Sequence, residues 1–400
     1  MFSILNNWRA SMHKRYEELD SLRGLAALFV VFYHVYQVIP TNKISKIIFE
    51  YSPLRLFISG GESVILFFVL SGFVLALLYL NNKQPSYSSF ILKRICRIYL
   101  PYLFAFVFAV GCKEVLYNGK LQGNISWVTL AWTSPITWQA IKDHLFMLGT
   151  FMSNLNPVIW SLVHEMRISI IFPLVMFLVV KTNWKTGIGL GLVASVLSIV
   201  ISHVFKTSNT GIEYVATLNY TAMFIIGALL AKYRSQISLK FSSLSKRIKI
   251  LTLAVGLFTY LLVHPSYVLS ILFHGFSPFY RTVIDSWFVA TGASILIIFA
   301  INSVSLSRLL TIRFLNYLGK ISYSLYLIHV VVILMMVHLL QGQGIPIGII
   351  LTGSLIVSFI VASLMYYFIE KPSIKLGRTL TQTRNVKRLA TEKTTSSRIA

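Results

Sequence analysis

Ten apolar runs punctuate this chain, near residues 22–39, 62–80, 98–116, 158–180, 187–204, 214–231, 250–264, 282–301, 321–340 and 347–369. Most have the length an α-helix needs to cross the hydrocarbon core of a bilayer, about 20 residues at 1.5 Å each. Lipid offers backbone groups no hydrogen-bond partner, so runs of this kind enter a membrane as helices. The expected fold is an all-α polytopic membrane protein of about ten transmembrane helices. Composition agrees: with 56% hydrophobic and 12% charged residues over 400 positions, the chain has too little polar surface to cover one water-soluble core of that size.

The net charge of +24 would point to nucleic acid in a soluble chain, but here its distribution decides. With the N-terminus in the cytoplasm, 27 of the 36 Lys and Arg fall on the cytoplasmic side, eight on the other, and Arg167 lies within a span. This is the positive-inside pattern, with both termini cytoplasmic and the bilayer, not nucleic acid, as the partner. Segment 117–157 is aromatic but only moderately apolar. A crossing there would reverse every later loop, so it is read as helices lying at the outer interface. A polar stretch precedes the first run, which continues without a small-residue cleavage site and is therefore read as an uncleaved anchor.

Three segments follow: a cytoplasmic stretch at 1–21, the transmembrane domain at 22–370, and a basic, Ser- and Thr-rich tail at 371–400. The tail is read as disordered and drawn to anionic lipid. Cys96 and Cys112 are the two cysteines. Cys96 falls at a cytoplasmic helix start, so neither a disulfide nor a thiolate metal site is expected.

Ionisable residues inside apolar spans are costly and mark cavities or functional sites. In the first span, Arg23 and His34 are separated by eleven residues, which is three helical turns plus about 20° and a rise of about 16 Å on one face. That stripe carries a cation at the cytoplasmic mouth and a base toward the far side. The third span opens with "KRICRIYLPY", where Arg94 and Arg97 stand at i and i+3 and are expected to project together. Arginine forks suit phosphate, and Arg23, Arg94 and Arg97 are read at one cytoplasmic level, where a phosphorylated cytosolic cofactor could be held. The fourth span opens with "NPVIWSLVHEMRISIIFP", placing His164, Glu165 and Arg167 near the outer surface. "HEMRI" lacks the second histidine of a zinc protease helix, so no metal site is expected. His329 and Asp285 are read as structural polar groups.

Six stretches in order over residues 19 to 372, "LDSLRGLAALFVVFYH", "FFVLSGF", "KRICRIYLPY", "WSLVHEMRISIIFP", "GKISYSLYLIH" and "FIEKP", resemble the membrane-bound acyltransferase 3 family. The resemblance implies a ten-helix enzyme of a bacterial plasma membrane. Such an enzyme moves an acetyl or other short acyl group from a cytosolic coenzyme A thioester to a hydroxyl of a surface carbohydrate, such as lipopolysaccharide, exopolysaccharide or peptidoglycan. The family's arginine–histidine motif falls on Arg23 and His34, and its paired arginines fall on Arg94 and Arg97. The chain resembles the form without a fused extracytoplasmic hydrolase domain. It departs from the family at Met166 and Arg167, where aromatic residues are commoner, which bears on the acceptor.

The expected machinery is therefore His34 as general base or acyl carrier. Glu165 or Asp20 orients the imidazole or the acceptor, and Arg23, Arg94 and Arg97 bind the phosphates of acetyl-CoA or another acyl-CoA. The donor is a substrate, and no permanently bound cofactor is expected. A secondary transporter of a glycan intermediate or organic anion is the competing class, since it too would place His, Glu and Arg within the membrane.

Overall fold

A computed structural model describes residues 16–382, apart from short stretches at 40–41, 81–83, 118, 120–125, 148, 150–153, 207–208 and 273–276. Among the described residues every regular element is helical, and nine helices are long and apolar enough to cross a membrane. These are α1 (Glu17–Tyr36), α2 (Gly60–Leu80), α3 (Tyr87–Leu116), α4 (Ile159–Lys181), α5 (Trp184–Val204), α6 (Asn209–Lys232), α8 (Pro278–Asn302), α9 (Arg313–Leu340) and α10 (Ile347–Gln382). Between α6 and α8, α7 (Lys246–Leu261) bends by 47° into the short helix Pro265–Leu272, and the count reaches ten when this bent pair is taken as one broken span. Each expected run has its helix. Of the expected cytoplasmic N-terminal segment, residues 1–15 lie outside the described residues.

Two helices run well beyond the apolar runs that announced them, and both contain a π turn. In α3 the turn covers Ile95–Tyr99 and the Leu100 N–H reaches back to the Ile95 carbonyl; in α10 it covers Tyr366–Glu370 and the Lys371 N–H reaches the Tyr366 carbonyl. A proline stands two residues after each turn, Pro101 and Pro372. Proline lacks an N–H and its ring crowds the carbonyl four residues back, and the wider π turn displaces that carbonyl. The helix therefore passes through Pro372 and continues to Gln382. The first twelve residues of the segment read as a disordered tail are thus helical, and 383–400 lie outside the described residues.

In segment 117–157 the described helices are Ser126–Leu130 and Trp138–Phe146. The longer spans only about 14 Å, too short to cross, as the charge distribution required. His144 on that helix is buried and pairs with Tyr102 of α3, whose hydroxyl lies 2.9 Å from His144 Nδ1 and donates to the His144 carbonyl at 3.0 Å. Burial among Tyr102 and Phe106 pushes the imidazole down to about 4, so it sits there neutral.

The described chain forms two compact units. The first comprises residues up to 84 and 171–323, with α1, α2 and α5–α8, while the second comprises 85–170 and 324 onward, with α3 and α10; α4 and α9 contribute to each. Within the first unit, α6 packs on α2 and α5, α8 packs on α7 and α2, and α1 lies on α2.

Lipid gives no hydrophobic drive between helices, so close backbone approach matters. At the α1–α9 crossing, a Cβ on Gly24 would come within 2.6 Å of the Gly319 nitrogen, and one on Gly319 within 2.4 Å of the Asp20 carbonyl oxygen. Gly72 and Gly227 bring α2 and α6 together in the same way, a Cβ on Gly227 meeting the Val69 carbonyl oxygen at 2.0 Å. The glycines of "LRGL", "LSGF" and "GKIS" are crossing points. Gly319→Ala is expected to destabilise the purified protein by about 1–3 kcal/mol, the usual cost of overpacking. Gly61→Ala, whose Cβ meets nothing within 4 Å, should stay within about 0.5 kcal/mol of the parent. Unfolding in detergent micelles compares the two, and equal effects would show that the crossing tolerates bulk.

Candidate active site

The first unit carries the Arg23–His34 stripe. Glu17, Glu18 and Asp20 occupy the first turn of α1, where carboxylates favour the helix dipole. Glu18 is buried and accepts from Ser307 Oγ at 2.7 Å, and Glu17 accepts from the Asn316 side chain at 3.0 Å. These bonds fix the start of α1. One turn further, Arg23 lies 3.9 Å from the Asp20 carboxylate and donates from Nη2 to the Leu70 carbonyl of α2 at 3.4 Å.

His34 stands in the last turn of α1, and its Nδ1 is 2.9 Å from the Val30 carbonyl. A carbonyl oxygen only accepts, so the ring proton sits on Nδ1 and the lone pair on Nε2. Asp20 is fourteen residues from His34, about 21 Å along the helix axis. It therefore orients Arg23 and does not reach the imidazole, which corrects one of the two roles expected of it.

The second unit carries the other expected residues. Arg94 is buried, donates from Nη2 to Glu165 Oε1 of α4 at 2.7 Å, and donates from Nε to Ser169 Oγ at 3.0 Å. Ser169 Oγ in turn donates to the Glu165 carbonyl at 2.7 Å, so one turn of α4 forms a matched socket for the guanidinium. Arg97 is exposed. The three-residue spacing does not align the two arginines because the π turn adds about one residue to that helical turn.

This geometry also corrects the expected levels. Because α3 begins at Tyr87, Arg94 lies about 10 Å inside the helix rather than at its mouth. Glu165 lies about 9 Å into α4, so the two charges meet inside helices long and apolar enough to span rather than at their ends.

Glu370, in the π turn of α10, was not singled out as a site residue although "FIEKP" was. It is buried, accepts from Ser324 Oγ at 2.6 Å, and feels the positive charge of Arg97. Two π turns thus present a cation and a carboxylate to each other, and such turns recur at functional sites. A proline directly after a charged, helix-compatible stretch is the signal that could have found it.

The remaining polar residues hold structure. Arg167 donates to the Gly149 carbonyl at 2.7 Å, His164 is buried beside Trp160, and His329 Nδ1 donates to the Leu325 carbonyl at 2.9 Å. Asp285 accepts from Ser266 and lies 3.5 Å from His264, which with Arg55 also meets Glu62.

The profile of the acyltransferase domain, acyltransferase 3, matches residues 16–368. The chain belongs to the acyltransferase 3 family. Among curated relatives, YrhL of Bacillus subtilis, named as a candidate peptidoglycan O-acetyltransferase, is 28% identical over 407 residues, covering 97% of this chain and 60% of that protein. The O-acetyltransferase OatA of Staphylococcus aureus is 24% identical over 373 residues, covering 90% and 57% respectively. The chain spans about three-fifths of the length of these relatives. No solved structure matches it. The acyltransferase 3 match takes in every residue of both clusters described above, from Asp20 to Arg97 and Glu165, and closes two residues before Glu370.

Removing one member of a buried pair strands the other, whereas removing both costs less. Glu165→Gln is expected to lose about 3–5 kcal/mol of stability. Arg94→Met combined with Glu165→Met should lose clearly less than the sum of the single changes. Unfolding of the four proteins in one detergent closes the cycle, and additive losses would show that the pair is not coupled.

Proposed function

We propose that this protein is a membrane O-acyltransferase that moves an acetyl or other short acyl group from acyl-CoA in the cytoplasm to a hydroxyl of a cell-envelope glycan. The relatives' names supply the acetyl group and, for YrhL, peptidoglycan. The observation that carries the reading is the 2.9 Å approach of His34 Nδ1 to the Val30 carbonyl. With Nδ1–H held by the Val30 carbonyl, Nε2 is the reacting nitrogen, and the helix that carries it also carries Arg23 on the same stripe about 16 Å away. That span suits a donor whose phosphates are anchored at one end and whose thioester is carried on a long arm.

In this scheme Nε2 takes the proton of the acceptor hydroxyl as its oxygen bonds to the thioester carbonyl carbon. The carbon–sulfur bond then breaks, coenzyme A leaves as the thiolate, and the proton is passed on to it. Arg23 takes donor phosphate, steadied by Asp20. In the other unit Arg97 keeps an exposed guanidinium for phosphate, whereas Arg94 spends its own on Glu165, so Glu165 acts as a positioning residue. The cell membrane is the site of action, with the acyl group delivered to the extracytoplasmic side.

His34→Ala is expected to insert and fold normally yet lose acyl transfer by on the order of a hundred-fold or more, the loss attached to removing a general base. Free thiol released from acetyl-CoA in the presence of a glycan acceptor gives the rate, and the mass of surface glycans gives the product in cells. Near-normal thiol release by well-folded His34→Ala would sink the assignment, and a transporter would release no thiol in either protein.

A further inference from the structure

At the outer end of the second unit, three rings from distant parts of the chain meet. His338, near the end of α9, stacks on Trp132 with centroids 5.2 Å apart and 11° between planes, and meets Tyr117 edge-on at 5.5 Å and 67°. Trp132 is fully buried and holds φ at +63°, a left-handed conformation that strains a bulky residue and persists only where its surroundings enforce it. Here they do. Its backbone N–H donates to the Asn154 carbonyl at 3.0 Å and its indole N–H to the Leu155 carbonyl at 3.2 Å, while the Asn154 amide donates to the Leu130 carbonyl and Thr133 Oγ1. Lys113, buried on α3, donates its ammonium to the Ser134 carbonyl and ties the same segment down.

Between the outer end of α3 and this segment lies a cavity of about 550 Å³, whose lining includes Lys113, Glu114, Tyr117, Trp132, Thr133 and Ser134. Its size falls in the range of small-molecule sites, and Tyr117 supplies its accessible aromatic surface beside a few polar groups, with the buried Trp132 as backing. Lys113 stands sixteen residues beyond Arg97, about 24 Å further along α3, which puts the cavity on the extracytoplasmic side by the charge distribution.

The chemistry of the lining selects among ligands. Tyr117 offers a partly exposed ring to the C–H face of a sugar, and the exposed Glu114 carboxylate offers acceptors to sugar hydroxyls. The ammonium of Lys113 is buried and directed at the Ser134 carbonyl. Glu114 is then the exposed charge of the lining, and it opposes the phosphate of a lipid headgroup.

We propose that this cavity is a binding subsite for a neutral, hydroxyl-rich saccharide unit of the acceptor glycan. The inference rests on the glycan-acceptor reading above.

The test is equilibrium binding to the purified full-length chain without acyl donor, by calorimetry, with the neutral β-1,4-linked tetramer of N-acetylglucosamine as probe. Saturable binding to the parent is expected, with Kd raised tenfold or more in Glu114→Gln and in Tyr117→Ala. Tyr117→Phe, which keeps the ring, and Val115→Ala, at an outward-facing neighbouring position, should stay within threefold. Thermal unfolding confirms that each variant is folded. No saturable binding to the parent, affinity unaltered in both Glu114→Gln and Tyr117→Ala, or displacement of the tetramer by phosphocholine would overturn the proposal. Thiol release from acetyl-CoA by the same preparations separates the two readings: release without tetramer binding removes the subsite alone, and binding without release removes the transferase.

Discussion

A guanidinium carried two turns inside a membrane helix cannot stay there without a counter-charge, and the pairing of Arg94 with Glu165 and Ser169 meets that demand. The bond joins α3 to α4, and its placement depends on where each helix begins. Because α3 starts at Tyr87 and runs through a π turn without breaking, Arg94 faces α4 while Arg97, three residues on and short of one widened turn, remains exposed and within the influence of Glu370. A matching π turn before Pro372 presents Glu370. The two irregular turns thus sort four charges into one closed pair and one open pair, using a backbone that otherwise satisfies itself.

Much of this was legible from the chain. The ten runs each mark a helix because lipid permits little else, and in 117–157, which the charge distribution assigns to the outer interface, the described helices are too short to cross. The Arg23–His34 stripe follows from helical spacing alone, since α1 is uninterrupted. The family match covers five of the six short motifs and reaches the first residue of the sixth, and three of the five owe a glycine to a helix crossing.

What sequence reasoning missed has a common cause. Hydropathy marks where a helix is apolar, not where it starts, so Arg94 and Arg97 were placed at a cytoplasmic mouth when they lie within α3. The same habit ended α10 at Pro372, because a proline after a polar residue reads as a stop unless the π turn before it is seen. Glu165 and Arg94 were placed at opposite surfaces for that reason, and Asp20 was offered to an imidazole it lies about 21 Å from. Trp132 and His338, more than two hundred residues apart, could not have been paired by any local pattern.

In the proposed transferase α1 would be the conduit between two sides of a membrane, with donor phosphate at Arg23 and chemistry at His34. Its central claim is that donor and acceptor meet the protein from opposite faces. Sealed vesicles carrying the protein, with an acetyl-CoA labelled in its acetyl group added on the cytoplasmic face and a glycan acceptor enclosed on the other, test this directly. The account predicts labelled ester on the enclosed glycan, free coenzyme A remaining on the donor side, and neither with His34→Ala. Label that appears only when donor and acceptor share one face would contradict it.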